Sequence, residues 1–231
     1  MTSQQPILSA LQQSAAFEFT FRVRQPQATK PSACVVLLHG VGGSETNLAN
    51  LAAAIDSDTL VVLPRGLLQF APGQFGWFRV SLTANGPSIV AAEAEQARLA
   101  LIRFVGQLQA AHGIAPKDTV IAGFSQGGIL SASVALSSPE SVAGFGLLSG
   151  RILPELEPHV ASKDQLAKLD AFIGHGEYDS KLPVAWAQRA DQLLTELGVT
   201  HTTRLYGIDH EISPAMQADF LAWLARVVKA Q

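Results

Sequence analysis

The chain has 231 residues, with 16 lysines and arginines against 19 aspartates and glutamates, for a formal net charge of −3. So small a negative charge gives no electrostatic reason to expect nucleic acid or an anionic membrane as a partner. A hydrophobic content of 48% with 15% charged residues excludes a disordered chain and indicates a globular protein with many buried strands. We predict a single α/β domain over residues 1–231, because no Pro-, Gly- or Ser-rich linker divides the sequence.

The chain contains one cysteine, Cys34, which can form neither an internal disulfide nor a cysteine-based zinc site. No stretch approaches the roughly 18 apolar residues of a membrane helix, so we expect no stable membrane insertion. The first residues, MTSQQPILSALQQ, lack a Lys or Arg before a short apolar patch and are not typical of a secretory signal. These observations predict a soluble, cytoplasmic protein.

Short β-rich runs alternate with longer helical stretches, which is typical of a mostly parallel sheet with helices on both faces. Residues 16–24 alternate apolar and polar side chains, as an antiparallel edge strand does. Residues 33–38 are apolar throughout, as in a parallel strand buried on both faces. Further strands are predicted over residues 59–63, 119–124, 142–148, 170–173 and 200–206. Helices are predicted after Ser44 as N-cap and over residues 91–111, 127–137, 183–197 and 214–229.

Residues 64–90 interrupt this alternation with several glycines and prolines and with the aromatic residues Phe70, Phe75, Trp77 and Phe78. A long connection without periodicity is usually functional. Its aromatic side chains either line a pocket or pin the loop to the core, and both interpretations stay open. They are also candidates for a homodimer contact.

The most informative motif is Gly123-Phe124-Ser125-Gln126-Gly127, which fits the pattern G-x-S-x-G. An apolar strand precedes it and a predicted helix follows it, the context that a nucleophile elbow requires. Glycine is needed two residues before and after the serine, because side chains there would collide with neighbouring backbone. The helix N-terminus then directs free N–H groups toward Ser125, where negative charge develops during acyl transfer. The alternative is a Gly-rich turn without chemistry.

A serine hydroxyl needs a base later in the chain and an acid between the two. His210 is the candidate base, because it lies between the last predicted strand and the last helix, at the same sheet edge as Ser125. Asp179 is the leading candidate acid, in the loop after the predicted strand 170–173, and Glu177 is the alternative in that loop. His39, His175 and His210 could all lie near this sheet edge, but no H-E-x-x-H spacing is present and no carboxylates lie at ligand offsets, so we predict no metal. Acyl transfer by a serine requires no cofactor, and we predict none.

Two backbone N–H groups should meet the negative charge on the carbonyl oxygen. One belongs to Gln126, the residue after the candidate nucleophile. The other is sought in the Gly-rich turn His39-Gly40-Val41-Gly42-Gly43, where Val41 is the candidate donor.

These motifs resemble those of the phospholipase/carboxylesterase family of α/β-hydrolases, which includes acyl-protein thioesterases and small bacterial carboxylesterases. The matching stretches are residues 38–43, 123–128, 175–183 and 207–213. The resemblance implies an α/β-hydrolase fold. It implies a catalytic triad of Ser125, Asp179 and His210, with Val41 and Gln126 as the oxyanion donors.

The resemblance also implies that Trp77 and Phe78 lie near an acyl pocket, and Phe75 is a third candidate substrate contact. Arg79 stands where the family has an Asp, and Gly42 stands where the thioesterases usually carry an acidic residue. Both departures count against protein depalmitoylation. The expected function is a serine carboxylesterase that hydrolyses small to medium acyl esters. The alternatives are a lysophospholipase, an acyl thioesterase, an amide-cleaving peptidase or a non-catalytic binding protein on the same fold.

Overall fold

The computed structural model describes residues 8–83 and 86–229. The strands of the central sheet are β1 (Phe21–Arg24), β2 (Ala33–Leu38), β3 (Thr59–Pro64), β8 (Thr119–Phe124), β9 (Gly144–Leu148), β10 (Asp170–Gly176) and β11 (Thr200–Tyr206). Between β3 and β8 lie the short strands β4 (Leu68–Ala71), β5 (Gln74–Gly76), β6 (Val80–Thr83) and β7 (Gly86–Ile89). The helices are α1 (Ala49–Ala54), α2 (Ala91–His112), α3 (Gln126–Ser137), α4 (Lys163–Leu166), α5 (Ala185–Leu197) and α6 (Pro214–Lys229).

The central sheet has the order β1-β3-β2-β8-β9-β10-β11. All neighbouring pairs from β3 to β11 are parallel, whereas β1 runs antiparallel to β3. This confirms the predicted α/β-hydrolase fold with its antiparallel N-terminal edge strand. The edge strand is shorter than predicted, because Phe21 lies opposite Pro64, where β3 ends, and earlier residues have no strand to pair with.

Helices cover both faces of the sheet. One hydrophobic core joins the sheet to α2, α3 and α5, through residues such as Leu101, Leu130 and Leu194. A second core on the opposite face joins it to α1 and α6, through Leu51 and Phe220. Burial on both faces explains why β2 and its neighbours are apolar throughout. In the part of the chain that the structure describes, no helix is long and apolar enough to cross a membrane.

Two local predictions are wrong. Ser44 does not cap α1, because its N–H and hydroxyl bond to Asn47 and Thr46 within a preceding turn, and the helix begins only at Ala49. The strand predicted over 170–173 continues to Gly176, since pairing with β11 continues to that residue. His175 therefore lies inside β10 and not in the loop that follows it.

The segment 64–90 forms two antiparallel hairpins, β4–β5 and β6–β7, in the residues that the structure describes. Their strands have only three or four residues, too few to show a hydrophobic period in the sequence. Both hairpins follow β3, and the first leads into Trp77 and Phe78, which are both buried. In its described residues, the predicted loop therefore consists largely of short paired strands.

Candidate active site

Ser125 lies on a sharp turn between β8 and α3, at the carboxyl edge of the sheet. Its φ of 54° and ψ of −118° lie in a strained region that side-chain-bearing residues rarely adopt. A side chain on Gly123 would overlap the backbone of Gly127 and Leu38, and one on Gly127 would overlap the Leu38 carbonyl. The two glycines of the motif are therefore required by the close approach of β8, α3 and β2.

His210 connects Ser125 to Asp179. Its Nδ1–H donates to Oδ2 of Asp179 at 2.7 Å, and its Nε2 accepts from Oγ of Ser125 at 2.9 Å. Asp179 is buried, whereas His210 remains partly exposed. The structure thus brings together the three residues that the sequence selected, in the hydrogen-bonded order that activates a serine.

The second oxygen of Asp179 anchors the carboxylate to its own loop. Oδ1 accepts the backbone N–H groups of Lys181 at 2.9 Å and Leu182 at 2.7 Å. Glu177, the alternative acid, is exposed. Asp209 accepts the N–H of Ser180 at 2.7 Å, and this hydrogen bond lowers the pKa of Asp209. Asp209 thereby ties the loop of Asp179 to the loop of His210.

A second histidine, His175, lies beneath Asp179, and no role was assigned to it from the sequence. Its Nε2–H donates to the carbonyl of Leu182 at 2.7 Å and lies 3.4 Å from Oδ2 of Asp179. Burial lowers the pKa of His175, so the neutral ring is favoured. A side chain on Gly176, the next residue, would overlap the carbonyls of Ile208 and Asp209, so the end of β10 lies directly against the loop of His210.

The backbone N–H groups of Val41 and Gln126 are the candidate oxyanion donors. Both residues line the cavity that contains Ser125, and neither N–H has a hydrogen-bond acceptor among the described residues. Gln126 is the first residue of α3, so its N–H is one of the free donors of a helix N-terminus. A Cβ on Gly40 would lie 3.3 Å from Cβ of Ser125, which places the Gly-rich turn beside the serine.

The side chains of Gln126 and His39 connect the two candidate donor segments to the first hairpin and the residues beside it. Oε1 of Gln126 accepts the N–H of Trp77 at 2.8 Å, and Nε2 donates to the carbonyl of Phe78 at 2.7 Å. The indole N–H of Trp77 donates to the carbonyl of His39 at 2.9 Å, and Nε2 of His39 accepts the N–H of Gly66 at 3.0 Å. Burial lowers the pKa of His39, so its ring stays neutral in this role.

Two cavities meet at Val41 and His210. The first, of about 470 Å³, contains Ser125; its apolar wall includes Phe78, Val80, Ile89, Ile129 and Leu182, and its charged residues are Arg151 and Lys181. The second, of about 390 Å³, lies beyond Val41 and His210 and is lined by the Gly-rich turn and Glu211. The sequence alone gave no reason to select Arg151 or Lys181.

The three aromatic candidates occupy different places. Phe78 lines the cavity of Ser125, whereas Trp77 and Phe75 do not. Trp77 packs edge-on against Phe19 with ring centroids 5.6 Å apart, and Arg65 lies 4.4 Å above the ring of Phe75. The sequence left open whether these aromatic side chains line a pocket or attach the loop to the core. Phe78 lines the pocket, whereas Trp77 and Phe75 attach the loop to the core. Within residues 8–83 and 86–229, no cluster of three or more metal-binding side chains forms.

Known proteins resemble this chain over nearly its whole length. A sequence model of the family described as Phospholipase/Carboxylesterase matches residues 20–227. Acyl-protein thioesterase 1 of Kluyveromyces lactis is 26% identical over 223 residues, which span 90% of this chain and 97% of that protein. The crystal structure of esterase PE8 has a TM-score of 0.78 at 27% identity, covering 89% of this chain and 97% of that one. A carboxylesterase from Mesorhizobium loti has the same fold, with a TM-score of 0.79 at 24% identity over 93% and 98% of the two chains.

Proposed function

The chain belongs to the phospholipase/carboxylesterase family of serine hydrolases, and we propose that it is a carboxylesterase acting on small to medium acyl esters. The observation that carries this proposal is the hydrogen-bonded chain from Asp179 through His210 to Ser125. An apolar cavity wall beside Ser125 supports an acyl group as the substrate part that is bound there.

The proposed reaction is a two-step acyl transfer. Oγ of Ser125 attacks the ester carbonyl while Nε2 of His210 takes its proton, and Asp179 stabilises the imidazolium. The N–H groups of Val41 and Gln126 stabilise the oxyanion. His210 then protonates the leaving alcohol, and a water molecule, activated by the same base, releases the acyl group from the serine. No step requires a cofactor.

The second candidate function is acyl thioester hydrolysis, which the name of the Kluyveromyces lactis relative favours. Two features favour the ester. Gly42 has a φ of 77°, a conformation in which the acidic residue expected of thioesterases would be strained. Arg79, in place of the family's Asp, forms an ion pair with Glu93 at 2.8 Å and does not line the cavity of Ser125.

The test is hydrolysis of p-nitrophenyl esters from acetate to palmitate, with the thioesters of the same acyl groups measured beside them. We expect the highest kcat/KM at short to medium chains and a loss of roughly 10³-fold or more in Ser125→Ala. Ser32→Ala, an exposed serine at the opposite edge of the sheet, serves as the matched control and should retain the activity.

Three outcomes would contradict the proposal in different ways. Full esterase activity of Ser125→Ala would show that Ser125 is not the nucleophile. Faster hydrolysis of thioesters than of esters would favour the second candidate. Absence of hydrolysis, together with no labelling of Ser125 by a fluorophosphonate, would favour a non-catalytic binding protein.

A further inference from the structure

A strained turn after β9 brings a charged side chain to the candidate nucleophile. Ser149 has a φ of 48°, and its N–H donates to the carbonyl of Gly174 at 2.8 Å. A Cβ on Gly150 would lie 3.2 Å from the carbonyl oxygen of Ser125, so Gly150 packs directly against the serine turn. Strained residues other than glycine are concentrated at functional sites. Here the strained turn places the next residue, Arg151, at the wall of the cavity.

The guanidinium of Arg151 is held in a fixed orientation. The side chain is only 6% exposed, and the guanidinium carbon lies 4.7 Å from the centre of the Trp186 ring. Stacking on an indole covers one face of a guanidinium, and the N–H donors point in the plane of the group. That planar arrangement matches the two oxygens of a carboxylate.

Lys181 adds a second positive charge to the same cavity. Its side chain is exposed. Its backbone is held in place, because the N–H of Lys181 donates to Oδ1 of Asp179. None of the described residues that line this cavity is acidic, although acidic residues outnumber basic ones in the chain by 19 to 16. The neighbouring cavity, in contrast, contains Glu211. The residues that line the cavity of Ser125 therefore supply the positive charge of the site, and Glu155, which lies outside both linings, attracts the Arg151 guanidinium.

We propose that the preferred substrate is an ester that also carries a carboxylate, bound by Arg151 and attracted by Lys181. The apolar residues Phe78 and Ile129 line the same cavity and would contact the short chain that joins the carboxylate to the ester. This inference rests on the proposed function, because it names the substrate class of the same site.

The test compares monomethyl glutarate with its neutral isostere, the methyl ester of glutaric acid monoamide, by titrating the released acid at neutral pH. We expect the wild type to favour the anionic ester by about tenfold or more in kcat/KM, the value of a charge-assisted hydrogen bond. Arg151→Gln should abolish the preference, Arg151→Lys should keep part of it, and Lys181→Gln should reduce it. The measured quantity is the ratio of the two substrates within one protein, so a smaller folded fraction cancels.

Arg189→Gln is the matched control. Arg189 lies 4.8 Å from the same Trp186 ring but lines a different cavity, so its loss should leave the ratio at the wild-type value. Equal rates on the two esters in the wild type, or a preference that survives in Arg151→Gln, would overturn the inference. If the same preparation still hydrolyses p-nitrophenyl esters, the proposed esterase function stands and only the preference for an anionic ester is overturned. If no ester is hydrolysed, both are overturned.

Discussion

Asp179 uses its two carboxylate oxygens for different partners. Oδ1 accepts the backbone N–H groups of Lys181 and Leu182, which hold the carboxylate to its loop. Oδ2 accepts a hydrogen bond from Nδ1–H of His210. The first set of bonds fixes the direction of the second. Because the two oxygens have different partners, a substitution can remove the negative charge of Asp179 while the bonds that position its side chain remain.

We expect Asp179→Asn to lower kcat by about 10³- to 10⁴-fold, a loss similar to that of the same change in serine proteases. The amide still accepts the two loop N–H groups, but its NH₂ group faces Nδ1 and favours the wrong tautomer of His210. The measurement is kcat on a p-nitrophenyl ester. Asp209→Asn is the control, because Asp209 adjoins His210 but bonds to Ser180. Comparable losses in the two variants would contradict a specific role for Asp179.

Single residues also show what the sequence could not reveal. The candidate triad residues could be selected because each lies beside a glycine motif or in a loop of known place in this fold. The positions of His175 and Arg151 could not be predicted, because they depend on which loops pack against them. His175 bonds to the carbonyl of Leu182, and Arg151 follows the strained turn at Ser149.

At the scale of elements, the edge strand β1 is fastened by a buried carboxylate. Glu45 lies 3.1 Å from Nε of Arg22 on β1 and 2.7 Å from Nε of Arg65 after β3. Burial alone would raise the pKa of Glu45, but hydrogen bonds from Arg65 and Arg22 lower it from 4.5 to about 2. The ionised carboxylate therefore favours the folded state.

The sign of the resulting pH dependence follows from this lowered pKa. The contribution of Glu45 to stability is complete above its unfolded pKa of 4.5 and is lost as the pH falls toward about 2. We expect the ionised carboxylate of Glu45 to contribute about 2 kcal/mol to the free energy of unfolding, since the two arginines are 28% and 26% exposed and water screens both ion pairs. Urea unfolding at a series of pH values should show Glu45→Gln less stable than wild type near neutrality, with a difference that shrinks on acidification.

Glu18→Gln is the control for this measurement. Glu18 forms a more exposed pair with Arg103 at 2.6 Å, and removing such a pair should cost less than about 1 kcal/mol. A difference between Glu45→Gln and wild type that stays constant down to low pH would contradict a role for the ionised carboxylate.

The elements themselves were largely predictable. The inner strands β2, β3 and β8 are mostly apolar runs, and α2 ends at Gly113, whose φ of 64° is the left-handed conformation of a helix C-cap. The hairpins of 64–90 were not predictable, because strands of three or four residues are too short to establish an alternating pattern in the sequence. The hydrogen bonds of Gln126 to Trp77 and Phe78, which order that segment, join residues far apart in the chain.

At the scale of the whole molecule, the two hydrophobic cores share one sheet. Residues of β2 alternate between them, with Val36 in one core and Val35 in the other. Neither core can therefore lose its packing without exposing one face of the same strands. A single domain over residues 1–231 stays a prediction, as does a homodimer contact through residues 64–90.

The shared sheet predicts one cooperative unfolding transition. Two of the three tryptophans report on the two cores separately, since Trp77 belongs to the first and Trp223 to the second. In the double variants Trp186→Phe/Trp223→Phe and Trp77→Phe/Trp186→Phe, one core tryptophan remains. Within each variant, the urea midpoint from fluorescence should coincide with the midpoint from far-ultraviolet circular dichroism. Comparing the two probes within one protein removes the effect of each substitution on total stability. A fluorescence midpoint that clearly precedes the loss of secondary structure in one variant would show that the core on that face unfolds on its own.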